Sequence, residues 1–137
     1  DTTKPYDFKF QPDLVSICIG TNDLSGGNGK KPRLPFNEEK FITNYIEFIK
    51  TVCKHAPNTR IVLLSSPMVS GERNLIFIKC LKQVIQAFES DTAHKKIELF
   101  QFKPMTPKGC ATHPNIEDDK VMADQLIPYF NQLLNEK

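Results

Sequence analysis

The sequence lacks any apolar run near the roughly 18 residues that a membrane-spanning helix needs, and it lacks any C-x-x-C pair. The first absence predicts a chain that does not cross a bilayer, and the second argues against a structural zinc site. Excess charge is also missing, because the formal net charge is only +2 over 137 residues. That balance gives no electrostatic reason to expect nucleic acid or an anionic membrane as a partner.

The chain begins with DTTKP at residues 1–5, which contains neither an initiator methionine nor the pattern of a signal peptide. We therefore expect these residues to come from the middle of a longer protein. An apolar fraction of 39% and a charged fraction of 25% exclude intrinsic disorder. The composition predicts one ordinary domain at most.

Four cysteines, at positions 18, 53, 80 and 110, allow three complete disulfide connectivities, and spacing does not choose among them. Cys18 lies in an apolar segment and Cys53 on a helical stripe, where free buried thiols are common. Cys80 and Cys110 are the better candidates for a single bridge, which would imply an oxidising compartment.

Three short apolar segments predict β-strands, at residues 14–19 (LVSICI), 60–64 (RIVLL) and 96–102 (KIELFQF). The first two are nearly continuous apolar runs, which are typical of strands buried on both faces. The third alternates only in part, which favours a position at the edge of the sheet.

Helical spacing of apolar residues follows each of these strands. One helix is predicted from the N-cap Asn37 until Pro57 stops it, and another over residues 75–88. A third opens at Asn115, with Asp118 as the second member of a partial capping box. Alternating strands and helices predict a parallel sheet with helices on both faces.

Polar segments follow the first and the last strand, at residues 20–23 (GTND) and 110–115 (CATHPN). Ligands bind beyond the carboxyl ends of strands in such sheets, so both segments are candidate site loops. After the turn at Gly20, Asn22 either donates its amide to a developing oxyanion or forms an ordinary Asx-turn. His113 is either a general base or a solvated loop histidine.

The glycine-rich segment 26–31 (GGNGKK) does not match a phosphate-binding P-loop. Leu24 stands where the motif needs its first glycine, and Lys31 stands where Ser or Thr should follow the lysine. We expect instead a flexible loop over the crevice, whose lysines and the nearby Arg33 are solvated.

Other histidines and the C-x-x-H spacing of Cys110 and His113 carry no assignment. Two ligands do not make a metal site. His55 ends a helix, and His94 lies in a polar connector, so we give neither a role.

Residues 12–23 (PDLVSICIGTND) resemble the third sequence block of the SGNH, or GDSL-type, hydrolases, and residues 109–115 with 122–128 resemble the last block. In this family the third-block Asn supplies an oxyanion-hole donor, and the last-block His is the catalytic base. These roles map onto Asn22 and His113. Both blocks are most similar to those of carbohydrate esterase family 2, acetyl esterases that act on xylan and related plant polysaccharides.

The resemblance implies a flavodoxin-like three-layer α/β/α fold with a parallel sheet in the strand order 2-1-3-4-5. This chain would be the C-terminal half, with three strands and three helices. The implied substrate is an acetylated carbohydrate, and no metal or organic cofactor is required. We expect Gly20, Thr21 and Asp23 to bind substrate beside Asn22, and the longer protein to be secreted or periplasmic.

Two departures from the family pattern stand out. The nucleophilic Ser of the family lies in a Gly-Asp-Ser block, which is absent from these residues, and Ser16, Ser25, Ser65 and Ser66 do not match it. We therefore expect the isolated chain to be inactive. The family also places an Asp two or three residues before the His, where this sequence has Ala111 and Cys110.

Two other functions compete with an acetyl esterase. One is a non-catalytic module, either a glycan-binding or a truncated esterase-derived domain, although the absence of tryptophan weakens the case for glycan binding. The other is a lipid or lysophospholipid esterase of the same fold, which would need an apolar acyl groove.

The strand predicted at residues 14–19 would be the third of the family's sheet and would pair with its first. Without that neighbour its edge is open and offers unpaired backbone groups to another chain. We expect either the missing N-terminal half of the domain to bind there, or self-association through this edge as a two-fold antiparallel pairing.

Overall fold

The computed structural model describes residues 3–4, 6–27, 29–30, 33–90, 96–103 and 105–136. His94, Lys31 and residues 1–2 lie outside this part. The elements in chain order are β1 (Leu14–Ile17), α1 (Thr21–Leu24), α2 (Glu38–His55), β2 (Arg60–Leu64), α3 (Gly71–Gln86), β3 (Glu98–Phe100), a 3₁₀ turn (Cys110–Thr112) and α4 (Ile116–Asn135). None of the described helices is both long and apolar enough to cross a membrane.

The three strands form one parallel sheet in the order β1-β2-β3. Side chains of β2 alternate between the faces: Ile61 and Leu63 join the core under α2 and α3, whereas Val62 and Leu64 join the core under α4. This is the predicted three-layer arrangement, so the expected α/β fold is confirmed.

Helix α2 begins and ends where the sequence predicts. The Asn37 side chain accepts a hydrogen bond from the amide of Lys40 at 2.8 Å, which satisfies one of the free donors of the first turn. The buried stripe is spaced by four residues and consists of Phe41, Tyr45, Ile49 and Cys53. The helix ends at His55, two residues before Pro57.

Helix α4 has a complete capping box. The Asn115 side chain accepts from the amide of Asp118 at 2.9 Å, and the Asp118 carboxylate accepts from the amide of Asn115 at 3.1 Å. The sequence indicated the pair correctly because both partners are local.

Strand β1 is shorter and less buried than expected. It ends at Ile17, its only buried residue, and Cys18 is exposed rather than buried. The physical reason is that β1 pairs with β2 alone among the described residues, so its outer edge has no neighbour. Strand β3 covers only Glu98–Phe100 and lies at the other edge, as its partial alternation indicates.

The proposed Cys80–Cys110 bridge is wrong. None of the four cysteines forms a disulfide bond, and Cys80 is buried in α3, with its sulfur 3.9 Å from a carboxylate oxygen of Glu38. Cys110 is exposed on the 3₁₀ turn. Cys53 is buried and forms no disulfide bond, as its helical position predicts.

Candidate active site

Asn22 and His113 line the same crevice, although 91 positions separate them in the sequence. The crevice has a volume of about 1300 Å³ and also exposes Thr21, Ser25 and residues at the start of α3. Parallel strands have their carboxyl ends at the same end of the sheet. The loop after β1 and the loop between β3 and α4 therefore meet there. The structure therefore places a side-chain amide and an imidazole within one cavity.

Gly20 sets the direction of the chain as it leaves β1. Its φ of 119° lies in the left-handed region, which favours glycine. A Cβ at this position would lie 2.7 Å from the Phe77 ring and 3.1 Å from the Phe41 ring. Gly20 is buried behind the crevice and does not line it, so its evident task is to turn the backbone.

The segment after Gly20 forms the short helix α1, which the sequence analysis did not anticipate. The Thr21 hydroxyl bonds the buried Ser66 hydroxyl at 2.7 Å, and Ser66 in turn accepts from the amide of Met68 at 3.2 Å. Thr21 thereby connects α1 to the end of β2. No described residue forms a hydrogen bond with the Asn22 side chain, so the Asx-turn alternative is not observed. The side-chain amide is therefore available to the crevice.

Arg33 is a further residue that sequence reasoning missed. Arg33 is exposed, as the sequence predicts, but its guanidinium also donates to the Asn22 backbone carbonyl at 2.8 Å. Its side chain lies against Gly27, where an added Cβ would come within 2.9 Å of Nε. The bond spans 11 residues, so no local pattern signals it.

Asp118 fixes the loop that carries His113. Its carboxylate accepts hydrogen bonds from the amides of Lys108 at 2.7 Å and Asn115 at 3.1 Å. These two amides lie on either side of the loop, so the carboxylate holds its two ends together. The amide of Lys108 first, and that of Asn115 second, hold the pKa of the Asp118 carboxyl below its ordinary value. Within the loop, the Gly109 amide bonds the His113 carbonyl at 2.8 Å.

The backbone of this loop is tight at three positions. Ala111 and Thr112 have φ values of 51° and 61°, both in the left-handed region. A Cβ at Gly109 would lie 2.6 Å from the His113 carbonyl oxygen. The His113 side chain is exposed, and no described carboxylate bonds it. Ala111 and Cys110, two and three positions before His113, carry no carboxylate that could orient the imidazole.

The serines near the crevice differ in their surroundings. Ser65 and Ser66 are buried, and the Ser65 hydroxyl accepts from the amide of Phe102 at 2.9 Å. They follow β2 directly, so the carboxyl-end rule that selected Asn22 could also have found them. Ser25 lines the crevice, and its hydroxyl accepts from the amide of Gly27 at 3.1 Å.

The remaining candidates are placed as follows. Thr21 lines the crevice with Asn22, whereas Asp23 lines a neighbouring groove. Among the described residues, no three His, Cys, Asp or Glu side chains come together as metal ligands. His55 lies far from the crevice in sequence and stacks on Phe8, with ring centroids 3.7 Å apart.

Residues 2–126 match the family model described as GDSL-like Lipase/Acylhydrolase. The chain belongs to this family. The match spans both polar loops, so the resemblance noted from the two sequence blocks is confirmed at the level of the family.

This GDSL-like chain is similar to longer carbohydrate esterases. An acetylxylan esterase / glucomannan deacetylase of Cellvibrio japonicus is 25% identical over 126 residues, which are 90% of this chain and 34% of that protein. The chain thus spans about a third of the length of the curated relatives that it matches.

Solved structures agree with this assignment. A family two carbohydrate esterase from Clostridium thermocellum, solved in complex with cellohexaose, superposes with a TM-score of 0.81 and is 26% identical. The match covers 93% of this chain and 38% of that one. An acetyl xylan esterase from the rumen bacterium Butyrivibrio proteoclasticus shares the fold, with a TM-score of 0.69, 24% identity, and coverage of 94% of this chain and 39% of that one.

Proposed function

We propose that this chain is the C-terminal part of an acetyl esterase domain that removes acetyl groups from plant polysaccharide of the xylan type. The observation that carries the proposal is the shared crevice of Asn22 and His113, in a fold that matches a family two carbohydrate esterase at a TM-score of 0.81. The nucleophilic Ser would come from a segment outside these 137 residues.

In this proposal the Ser hydroxyl attacks the acetyl carbonyl carbon, and His113 takes the hydroxyl proton as general base. The carbonyl oxygen becomes an oxyanion, which the Asn22 amide stabilises by donating a hydrogen bond. His113 then gives its proton to the departing sugar oxygen, which leaves an acetyl-enzyme. Water, deprotonated by the same imidazole, releases acetate and restores the Ser.

The tethering of both groups supports these roles. Asn22 is held through the Arg33 bond to its carbonyl and through the Thr21–Ser66 bond beside it. His113 lies in a loop whose two ends donate hydrogen bonds to the Asp118 carboxylate. These bonds hold the backbone that carries each group, which lowers the reorganisation needed for electrostatic stabilisation during the reaction.

The open edge of β1 offers a position for the segment that would carry the nucleophilic Ser. We propose that an N-terminal strand and helix complete the domain, with the strand on the open edge of β1. On the α4 side of β1, Leu14 is half-buried and Ser16 is exposed, so this surface is only partly covered.

One flank of α4 also supports a position beside β1 for the missing segment. Ile116, Ile127 and Leu134 lie within about 20° of one another around the helix and are 85%, 56% and 47% exposed. The opposite flank carries Gln125 and Tyr129, which bond Lys103 and Glu98 on the β3 side. The apolar flank therefore faces the β1 side, where an additional helix would cover it.

The competing functions have less support. The charged groups Lys30, Arg33, Glu72 and Arg73 line the crevice, which is unlike the apolar groove that a lipid esterase needs for a fatty acyl chain. A polysaccharide does not cross a membrane, so the proposed substrate also places the longer protein outside the cell or in the periplasm.

The test uses the complete domain, in which this chain is joined to its upstream segment. His113→Ala should remove nearly all turnover of acetylated xylan and of 4-nitrophenyl acetate. Asn22→Ala should lower kcat by about 10²–10³ with KM little changed, because the oxyanion exists only in the transition state. His55→Ala and Asn131→Ala are matched controls, because neither residue lines the crevice.

Retention of activity in His113→Ala would contradict the proposal. A loss of substrate affinity alone in Asn22→Ala would make Asn22 a binding residue. Faster hydrolysis of 4-nitrophenyl decanoate than of acetyl esters would favour the lipid esterase. If the complete domain binds the polysaccharide but hydrolyses none of these esters, the non-catalytic module would be favoured.

A further inference from the structure

Positive charge concentrates in the crevice. Among the described residues, Lys30, Arg33 and Arg73 line it together with a single carboxylate, that of Glu72, although the whole chain carries a net charge of only +2. The acetyl ester of a neutral sugar is itself uncharged and gives no use for this concentration. The cations therefore call for an explanation beyond the proposed reaction.

Two of these cations lie against consecutive glycines. An added Cβ at Gly26 would lie 3.2 Å from Nη2 of Arg73, and one at Gly27 would lie 2.9 Å from Nε of Arg33. A larger side chain at either position would displace the guanidinium beside it. The bare Gly26–Gly27 backbone thus leaves room for both guanidiniums on the crevice wall.

The two arginines differ in their bonding. Arg33 uses Nη1 for the Asn22 carbonyl, and this bond ties its guanidinium to the site. Arg73, in the first turn of α3, has no hydrogen bond or ion pair with any described residue, its neighbour Glu72 included. An arginine donates through five N–H groups, so most of the donors of this pair remain available for a ligand.

We propose that Arg33 and Arg73 bind a carboxylate of the substrate, so that the crevice takes acetyl esters on an acidic polysaccharide that contains uronic acid residues. This inference rests on the proposed esterase function and names its substrate class. Planar guanidinium forks match a carboxylate in two parallel hydrogen bonds, which gives geometric selectivity as well as charge. Glu72 repels a carboxylate and instead suits the hydroxyl groups of the same sugar.

The binding test uses the complete domain and ligand-observed NMR with three probes: methyl glucuronoside, methyl glucoside and acetate. The glucuronoside should bind, and 0.5 M salt should weaken that binding by screening the charges. Arg73→Gln and Arg33→Gln should each raise the Kd about 10-fold, the cost of one charge-assisted pair. Lys82→Gln, an exposed cation of α3 outside the crevice, should leave the Kd unchanged.

Equal binding of the glucoside would overturn the inference, as would an unchanged Kd in Arg73→Gln. Binding of acetate as tight as that of the glucuronoside would show that the arginines hold the released acid rather than a uronic acid, and this too would overturn it.

An activity test separates this inference from the function on which it rests. Acetylated glucuronoxylan should be hydrolysed with a higher kcat/KM than the same polymer after reduction of its carboxyl groups. Arg73→Gln should remove that preference, whereas Lys82→Gln, outside the crevice, should change neither the preference nor the turnover of 4-nitrophenyl acetate. Turnover of both polymers at equal rates would overturn the inference alone. Absence of all turnover would overturn the proposed function, and the NMR result would still decide whether the arginines bind a carboxylate.

Discussion

The two faces of the sheet differ in how completely they are covered. Under α2 and α3, large side chains such as Ile49, Phe77 and Val84 are at most 1% exposed. Under α4, the only buried members of the described core are Val62, Leu64 and Leu133. The first face is closely packed, whereas the described residues cover the second less completely, which is where we propose that the missing part of the domain packs.

The largest test of this contrast is catalytic. If the nucleophile-bearing segment packs beside α4 on the less covered face of the sheet, the isolated chain lacks its nucleophile. It should then hydrolyse 4-nitrophenyl acetate no faster than free imidazole at the same concentration. Joining the upstream segment should then restore turnover that a serine-directed inhibitor abolishes. Turnover by the isolated chain that is lost in Ser25→Ala would instead place the nucleophile in the described crevice.

A second test compares the stability of the two faces directly. Ile49→Ala should lower the free energy of unfolding by about 2–5 kcal/mol, since it leaves a cavity in a packed core. Ile127→Ala should change it by no more than about 0.5 kcal/mol, because that side chain is 56% exposed. Urea denaturation of the isolated chain measures both. Similar losses for the two variants would mean that α4 is covered in solution.

A third test examines the open edge of β1. The isolated chain should self-associate at micromolar concentration in sedimentation experiments, because an unpaired strand edge is a template for another chain. The double variant Ile127→Glu and Leu134→Glu should weaken the association if the apolar flank of α4 takes part. A monomer with slow amide exchange along Val15 to Cys18 would refute the open-edge argument.

The smallest effect concerns Asp118, which stabilises the less covered side. Its pKa is lower in the folded state than in the unfolded chain, so the carboxylate stabilises the fold at a pH above its ordinary pKa. That contribution is lost as the pH falls from about 4 toward the lowered pKa. Asp118→Asn should therefore flatten the stability profile below pH 4, measured by thermal unfolding. Asp119→Asn, on the same turn of α4, is the control.

The parts of the fold that were predictable from sequence are the local ones. The caps at Asn37 and Asn115 involve residues three apart, and the buried stripe of α2 repeats every four, so a short window contains the whole signal. The predicted placement of two polar loops at one edge follows from a general rule of parallel sheets.

What could not be predicted depends on distant neighbours. The exposure of Cys18 follows from a strand edge that no other described strand covers, and Cys80 is buried in α3 whereas Cys110 lies on an exposed turn. Helix α1 has only four residues, too few for a periodic pattern, and it is held by the Thr21–Ser66 bond and by the burial of Leu24 in the core. The Arg33 contact with Asn22 joins a loop to a helix and has no local signature.

The close approach of Gly20 to Phe77 has a consequence for how this protein can change over generations. Replacing Phe77 with a smaller residue would remove the 2.7 Å contact that an alanine at position 20 would make. It would not remove the cost of a φ of 119°, which remains for any side chain. Position 20 is therefore closed to single and to paired substitution alike, and variation in how substrates are chosen must arise at other positions of the crevice wall.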